Sequence, residues 1–137
     1  MTNYKEEDEN ISILIVEDNP DHSTLARAAF ANHNDWSIET ASSLEEAFAK
    51  TCKKNYDVVL LDYILPDGSG FDLIDWLKKE SSVIMMTGQG SEQVAAESFR
   101  SGVTNYVVKD CLFRHNLLVA VEHIIGSRKM VEHSHLN

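Results

Sequence analysis

The stretch from Val58 to Gly70 constrains the fold more than any other part of the chain. It opens with four consecutive apolar residues, a pattern typical of a strand that is buried on both faces in a parallel sheet. The run ends at Asp62, and a turn-forming segment rich in proline and glycine follows. A carboxylate at the carboxyl end of such a strand lies where open α/β sheets bind their ligands. Because a lone aspartate can equally cap a turn or a helix, the other strand ends must decide its role.

Strands and helices are predicted to alternate along the whole chain. Further apolar segments predict strands at residues 11–16, 36–40, 83–86 and 105–108. Helical periodicity predicts helices from residue 20, over 43–54, 71–79 and 91–101, and from about residue 112 onward. Five such alternations predict a single doubly wound α/β domain, with five parallel strands joined by right-handed crossovers.

Local signals predict several helix boundaries. Asn19 is suited to cap the first helix, with Pro20 at its first position. Ser43 and Glu46 have the spacing of a capping box, and Gly102 is expected to end the fourth helix. The inner side of the first helix is predicted to carry Leu25, Ala28, Ala29 and Ala31.

The composition narrows the function classes. With 12 Lys and Arg against 22 Asp and Glu, the net charge is −10, which argues against direct binding to nucleic acid or to an anionic membrane. Two cysteines far apart suggest no disulfide framework, and no apolar run is long enough to cross a membrane, so we expect a cytoplasmic protein. We expect an acidic flexible tail at 1–10, a folded domain at 11–126, and a C-terminal extension or linker at 127–137.

Polar residues end most of the predicted strands, and they share one edge of the sheet. They are Glu17, Asp18, Asp62, Thr87 and Lys109. Like charges about 4 Å apart repel by about 4 kcal/mol at an effective dielectric constant of about 20, so clustered carboxylates need a cation. Mg²⁺ prefers such oxygen ligands. A metal, a lysine and a hydroxyl around one carboxylate can hold a phosphoryl group, and the carboxylate can be the nucleophile that forms an aspartyl phosphate.

These segments resemble the response-regulator receiver domains of two-component signalling. The resemblance covers residues 11–125 and rests on Ile15–Asn19, Leu60–Asp62, Leu65–Gly68, Met86–Gly88 and Tyr106–Lys109. Each motif alone is modest, but together, in this order and spacing, they are specific. The resemblance implies a flavodoxin-like (βα)5 fold with strand order 2-1-3-4-5.

The resemblance also implies roles for the residues at the strand ends. Asp62 would accept the phosphoryl group. Mg²⁺ would be held by Asp62, by Asp18 directly, by Glu17 through water and by the backbone carbonyl of Ile64. Thr87 and Lys109 would bind phosphoryl oxygens, and Tyr106 would be the switch aromatic.

The family further implies partners. The phosphoryl donor would be a histidine kinase or a histidine phosphotransfer protein, and the only chemistry would be self-catalysed transfer and slow autodephosphorylation, so we expect no enzyme. Phosphorylation would change the face formed by the fourth helix, fifth strand and fifth helix, and this allows a phosphorylation-dependent homodimer. No segment resembles an output domain, so we expect either a stand-alone receiver or a part of a longer protein.

One position departs from the family pattern, because Asp110 follows Lys109 where proline is usual. A cis peptide bond without proline costs about 2.5–4 kcal/mol, so we expect a trans bond and a shifted loop before Leu112.

Two other function classes stay open. A flavin-binding electron carrier needs a phosphate-cradling loop after the first strand, where the acidic segment 17–21 would repel a phosphate. A phosphorylation-independent interaction module would not need the site residues. Because all of them are present, the sequence does not support this class.

Overall fold

A computed structural model describes the chain from residue 10 to residue 136, with side chains up to residue 128. The strands of the main sheet are β1 (Ser12–Val16), β2 (Ser37–Ala41), β3 (Val58–Asp62), β4 (Ser82–Thr87) and β5 (Asn105–Val108). The helices are α1 (Pro20–Ala28), α2 (Leu44–Lys53), α3 (Phe71–Leu77), α4 (Glu92–Ser101) and α5 (Phe113–Leu136). Two short strands, Ile64–Leu65 and Gly68–Ser69, pair as an antiparallel hairpin between β3 and α3.

All five strands of the main sheet are parallel, in the order 2-1-3-4-5. This confirms the predicted doubly wound, flavodoxin-like fold. The central strand β3 is buried along its whole length, as its apolar run predicts. The register pairs Val16 with Leu61 and Asp62 with Met86. Glu17, which follows β1, and Thr87, which ends β4, are therefore placed on either side of Asp62.

The core has two layers, one on each face of the sheet. Phe30, which follows α1, and Leu117 of α5 pack with Ile15 and Leu60 on one face. The other layer lies beneath α2, α3 and α4 and is built from residues such as Leu14, Leu61, Ala47, Ile74 and Val103. Each large apolar side chain buried in this way stabilises the fold by roughly 1.5–3 kcal/mol.

Most predicted helix ends are confirmed. The Asn19 side chain accepts hydrogen bonds from the backbone of Asp21 and His22 at the start of α1. Gly102 adopts φ 111°, the left-handed conformation that favours glycine after a helix. The capping box is only half formed. Ser43 Oγ accepts a hydrogen bond from the Glu46 N–H at 3.0 Å. The Glu46 carboxylate, however, does not return to the Ser43 N–H; it accepts from the backbone N–H and the hydroxyl of Ser42.

The predicted inner side of α1 is wrong at two positions. Leu25 is 44% exposed and Ala31 lies beyond the end of the helix and is exposed, whereas Ala26 and Phe30 are buried. Ala26 lies on the core side of α1, and Phe30 reaches the same core layer from the turn after the helix, where its N–H donates to the Arg27 carbonyl at 3.1 Å. Leu25 precedes Ala26 by one residue and is therefore rotated by about 100° toward solvent.

Helix α5 continues through Gly126 to Leu136. Arg128 Nη1 donates to Asp57 Oδ1 at 2.8 Å, which fastens the helix to the start of β3. The predicted domain end at residue 126 therefore falls inside a helix, and the division at that residue stays a prediction. The predicted tail at 1–10 lies, apart from residue 10, outside the described residues. Between residues 10 and 136, no helix has both the length and the apolar character to cross a membrane.

Candidate functional site

The carboxyl edge of the sheet gathers the polar residues predicted to form a site. Asp62 is the last residue of β3, and Thr87 is the last residue of β4. Glu17 directly follows β1, and Lys109 directly follows β5. Asp62, Thr87 and Glu17 are only 4–6% exposed. Buried polar groups need partners, so their contacts determine what this edge can do.

Three carboxylates form an acidic cluster at this edge. One oxygen from each of Glu17, Asp18 and Asp62 lies within 4.8 Å of the other two. Glu17 and Asp62 are buried, whereas Asp18 is exposed to solvent. Hard divalent cations take oxygen ligands of this kind and keep several waters, which an exposed ligand on one side permits. The donor set and its spacing therefore fit a single such cation.

The Lys109 ammonium joins the two buried acids. Its Nζ lies 3.0 Å from Asp62 Oδ2 and makes a very short contact with Glu17 Oε1. The same Nζ lies 3.3 Å from Nδ1 of His22, a residue of the first turn of α1. The Lys109 side chain is only 8% exposed. One buried positive charge thus faces two buried carboxylates.

The pKa of Glu17 lies above its ordinary range despite the contact with Lys109. The pKa of Glu17 is raised from 4.5 to about 7. Burial is the largest cause, the hydrogen bond from Lys109 opposes it, and the neighbouring Asp62 adds to the rise. Because Lys109 does not offset burial and the like charge of Asp62, an ionised Glu17 costs free energy here. An additional cation at the cluster would favour the ionised form.

The loop after β3 is packed closely against the Asp62 backbone. The Ile64 N–H points to Asp62 Oδ1 at 3.3 Å, and the Gly70 N–H donates to the Tyr63 carbonyl at 2.8 Å. A Cβ at position 70 would lie 2.4 Å from the Asp62 carbonyl oxygen, so only glycine fits there. The loop therefore keeps the Ile64 backbone next to Asp62, and the role of the Ile64 carbonyl as a metal ligand stays a prediction.

Two polar residues near the edge were not singled out from the sequence. Asp67 accepts hydrogen bonds from the backbone of Leu44 at 2.9 Å and of Glu45 at 3.0 Å, which hold the pKa of Asp67 below its usual 3.8. This contact ties the loop to the start of α2 across more than twenty residues, so no local pattern signals it. His22 could have been noticed, because it lies in the first turn of the helix that follows the acidic pair.

Thr87 and Tyr106 both bind the loop before α4. Thr87 Oγ1 donates to the Gln89 carbonyl at 3.1 Å, and the Tyr106 hydroxyl accepts from the Ser91 N–H at 3.3 Å. Tyr106 is half-buried and packs against the core layer beneath α2, α3 and α4. Thr87 thus lies at the carboxyl edge of the sheet, and its hydroxyl is bonded within the loop that follows it, not to Asp62.

The peptide bond between Lys109 and Asp110 is trans, as expected, and residues 10–136 contain no cis bond. Asp110 Oδ1 accepts from the Leu112 N–H at 2.9 Å, and its carbonyl accepts from the Phe113 N–H. Asp110 therefore supports the turn that begins α5. The shifted loop before Leu112 stays a prediction.

Comparison with known proteins gives consistent matches. A family model described as the response regulator receiver domain matches residues 13–122. The methanogenesis regulatory protein FilR1 of Methanothrix harundinacea is 39% identical over 72% of this chain and 24% of its own length. The transcriptional regulatory protein ResD of Bacillus subtilis is 33% identical over 71% of this chain and 41% of its own length.

A solved structure is also similar. The crystal structure of a two-component response regulator from Clostridium difficile superposes with a TM-score of 0.76 and 28% identity, covering 88% of this chain and 98% of that one. The chain thus spans nearly all of this structure, but less than half the length of the two regulatory proteins.

Proposed function

The chain belongs to the response regulator receiver domain family, and we propose that Asp62 accepts a phosphoryl group from a histidine kinase or a histidine phosphotransfer protein. One observation carries the proposal: a buried carboxylate at the end of the central strand contacts the Lys109 ammonium and lies beside two further acids. Receiver domains are regulatory phosphoacceptors that are generally not classed as enzymes. The family match favours this role over a flavin-binding electron carrier.

The transfer is a displacement at phosphorus. One carboxylate oxygen of Asp62 forms the new O–P bond, while the P–N bond to the donor histidine breaks. The departing imidazole keeps the electron pair and takes a proton from water. Contacts with Lys109 and the Ile64 N–H orient the Asp62 carboxylate before the donor arrives, which lowers the entropic cost of reaching the reactive geometry. Lys109 also stabilises the negative charge on the phosphoryl oxygens.

Glu17, Asp18 and Asp62 would hold Mg²⁺, with Asp18 as a direct ligand, Glu17 acting through water and the Ile64 carbonyl as a further ligand. The bound ion would supply positive charge that neutralises the phosphoryl oxygens. The spacing of the three carboxylates supports this assignment, and the ion would offset the like charge of Asp62 that adds to the raised pKa of Glu17.

Phosphorylation would act on the face formed by α4, β5 and α5. An aspartyl phosphate adds about −1.5 to −2 charges, and charge-assisted hydrogen bonds are stronger than neutral ones. The Thr87 hydroxyl would exchange the Gln89 carbonyl for a phosphoryl oxygen, and Tyr106 would move with the loop that both residues bind. A downstream partner or a second phosphorylated copy would bind the altered face. The two relatives are named as regulatory proteins, which supports a signalling role.

The proposal is tested by incubation with acetyl phosphate and Mg²⁺, followed by intact-mass spectrometry. The parent should gain the mass of one phosphoryl group, and Asp62→Asn or added EDTA should abolish the gain. Asp75→Asn is the matched control, because Asp75 is 91% exposed on α3 and should leave labelling unchanged. Labelling of Asp62→Asn to the parent level would refute the assignment of the acceptor.

A further inference from the structure

The proposed function gives no role to His22, although its ring lies beside the acidic cluster. His22 belongs to the first turn of α1, and its side chain is 41% exposed. The backbone around it is fixed, because the His22 N–H donates to the Asn19 side chain at 3.2 Å and Pro20 begins the helix. The imidazole is therefore attached to a rigid helix end next to the site.

The His22 ring forms its hydrogen bond with the Lys109 ammonium. His22 Nδ1 lies 3.3 Å from Lys109 Nζ and 3.9 Å from Glu17 Oε1, and the second distance is too long for a hydrogen bond. An ammonium only donates hydrogen bonds, so Nδ1 is the acceptor, and the neutral imidazole carries its proton on Nε2. His22 thus contributes to the site through Lys109.

Lys109 has three N–H donors, and the structure gives it three acceptors. Asp62 Oδ2 lies 3.0 Å from Nζ, and the other two acceptors are the Glu17 carboxylate and His22 Nδ1. The Lys109 side chain is only 8% exposed, so protein groups rather than bulk solvent must satisfy its donors. Each donor of the ammonium therefore has an acceptor, and one of the three comes from His22.

The other two acceptors change during the proposed reaction. Once an oxygen of Asp62 is bonded to phosphorus, the group is an acyl phosphate and no longer a charged carboxylate. The Lys109 donor that Asp62 accepted then passes to a charged phosphoryl oxygen, since charge-assisted hydrogen bonds are stronger than neutral ones. Glu17 would also share its charge with Mg²⁺ through water. His22 is the acceptor that has no other task in the reaction.

We propose that His22 is a positioning residue, which holds the Lys109 ammonium in place while one of its donors passes from Asp62 to the phosphoryl group. This inference rests on the proposed function of Asp62. Before transfer, the ionised Asp62 also holds the ammonium, so the His22 contact contributes less there. The contact contributes more as the charge of Asp62 is lost, and an interaction that is stronger in the transition state raises the rate.

Two variants of nearly equal size isolate the hydrogen bond. Asparagine Oδ1 is bonded to Cγ, as histidine Nδ1 is, so His22→Asn keeps an acceptor near this position, whereas His22→Leu has a similar shape and no acceptor. Labelling by acetyl phosphate and Mg²⁺ is followed over time by intact-mass spectrometry. His22→Leu should be labelled about fivefold more slowly than the parent, as expected for the loss of one hydrogen bond, and His22→Asn should stay within about twofold of the parent.

The Lys109 ammonium provides a second measurement that needs no phosphoryl donor. Its proton–nitrogen correlation signal at Nζ, assigned by its absence in Lys109→Arg, depends on the hydrogen bonds of the ammonium. In EDTA, this signal should be alike in the parent and in His22→Asn, and it should shift or broaden in His22→Leu. Thr24→Val, at an exposed position of the same helix, is the control and should match the parent in both measurements.

The outcomes separate this role from the proposed function. A parent and a His22→Leu variant that are labelled at the same rate overturn the inference and leave Asp62 as the acceptor. Equally slow labelling of His22→Asn and His22→Leu also overturns it, because the acceptor atom would then not matter. A parent that takes no phosphoryl group refutes the proposed function and this role with it.

A further variant guards against a folding defect. His22→Phe keeps an aromatic ring without an acceptor, so it should be labelled as slowly as His22→Leu. Because the His22 side chain is 41% exposed, circular dichroism should show the parent fold in all of these variants. Labelling of a folded His22→Phe at the parent rate would overturn the inference even if His22→Leu failed to fold.

Discussion

Lys109 Nζ lies 3.0 Å from Asp62 Oδ2, and the same ammonium contacts the carboxylate of Glu17. Glu17 follows β1 and Asp62 ends the neighbouring strand β3, while Lys109 follows β5. Removing one partner of a buried ion pair costs about 3–5 kcal/mol, because the remaining charge is left uncompensated. Lys109 therefore stabilises the metal-free fold as well as serving the proposed chemistry.

Replacement of Lys109 by methionine should lower the free energy of unfolding by about 3 kcal/mol in EDTA. Mg²⁺ should then stabilise Lys109→Met more than it stabilises the parent, because the cation would replace the missing charge. Urea unfolding with and without Mg²⁺ measures both effects, and Lys109→Arg is the charge-conserving control. If Mg²⁺ stabilises the parent and Lys109→Met by the same free energy, the metal does not replace the charge of Lys109 and the prediction is wrong.

Replacement of Asp18 by alanine should abolish stabilisation by Mg²⁺. Asp18 is the exposed member of the acidic cluster, and its removal takes away a direct ligand and one negative charge. The metal-free variant should be as stable as the parent or slightly more stable, since repulsion within the cluster falls. Thermal shift with and without Mg²⁺ tests both points. Asp35→Ala, an exposed acid in the loop between α1 and β2, removes the same charge away from the cluster and should respond to Mg²⁺ like the parent.

The raised pKa of Glu17 predicts a pH dependence of stability in EDTA. Between pH 4.5 and about 7, the folded protein holds a proton on Glu17 that the unfolded chain has already released. Raising the pH therefore favours unfolding, by about 1.4 kcal/mol per pH unit at most and about 3 kcal/mol over the whole window. Glu17→Gln should flatten this slope, whereas Glu80→Gln, at an exposed position, should leave it unchanged. A parent whose stability rises through this window relative to Glu17→Gln would show that the direction is wrong.

The apolar runs were sufficient to predict the five strands and the residues at their ends, and the reason is physical, whereas the strand order came from the resemblance to receiver domains. Buried parallel strands need long apolar runs, and a residue such as Asp62 that ends the run is then placed at the edge of the sheet. The pattern failed on α1, where alanines are compatible with either side of a helix and Leu25 was assigned to the core on hydrophobicity alone. Ala26 is buried there instead, and Phe30 is buried just after the helix.

Contacts between distant segments could not be predicted in the same way. Thr87 was expected at the acceptor and Tyr106 as the switch aromatic. Which partner each hydroxyl binds depends on the loop before α4, whose path no periodicity specifies. The link from Asp67 to the start of α2 likewise depends on the hairpin after β3.

The Asp67 link predicts local protection from exchange. In Asp67→Ala, the amide hydrogens of Leu44 and Glu45 should exchange faster with solvent, because they lose their acceptors at the start of α2. Since the pKa of Asp67 lies below 3.8, its contribution to stability is present at neutral pH and is lost as the pH falls through that lowered value. NMR-detected exchange measures the change. Unchanged rates at both amides in Asp67→Ala would show that the link does not protect the helix start.

The final prediction concerns how the acceptor communicates with Tyr106. Thr87 and Tyr106 bind the same short loop, Thr87 through the Gln89 carbonyl and Tyr106 through the Ser91 N–H. Beryllofluoride at Asp62 should draw the Thr87 hydroxyl away from Gln89, release the loop and change the environment of the Tyr106 ring. The ligand thus shifts the balance between two packings of that loop.

NMR spectra with and without beryllofluoride provide the test, with Thr87→Ala as the decisive variant. In the parent, signals near Asp62, Ser91 and Tyr106 should shift together. In Thr87→Ala, the shifts near Asp62 should remain while those of Ser91 and Tyr106 disappear. Trp36, which packs against the core layer on the opposite face of the sheet, is the internal control and should not shift in either protein. Tyr106 shifts that survive in Thr87→Ala would mean that the signal travels by another route, because the hydroxyl that links the two sites would then be dispensable.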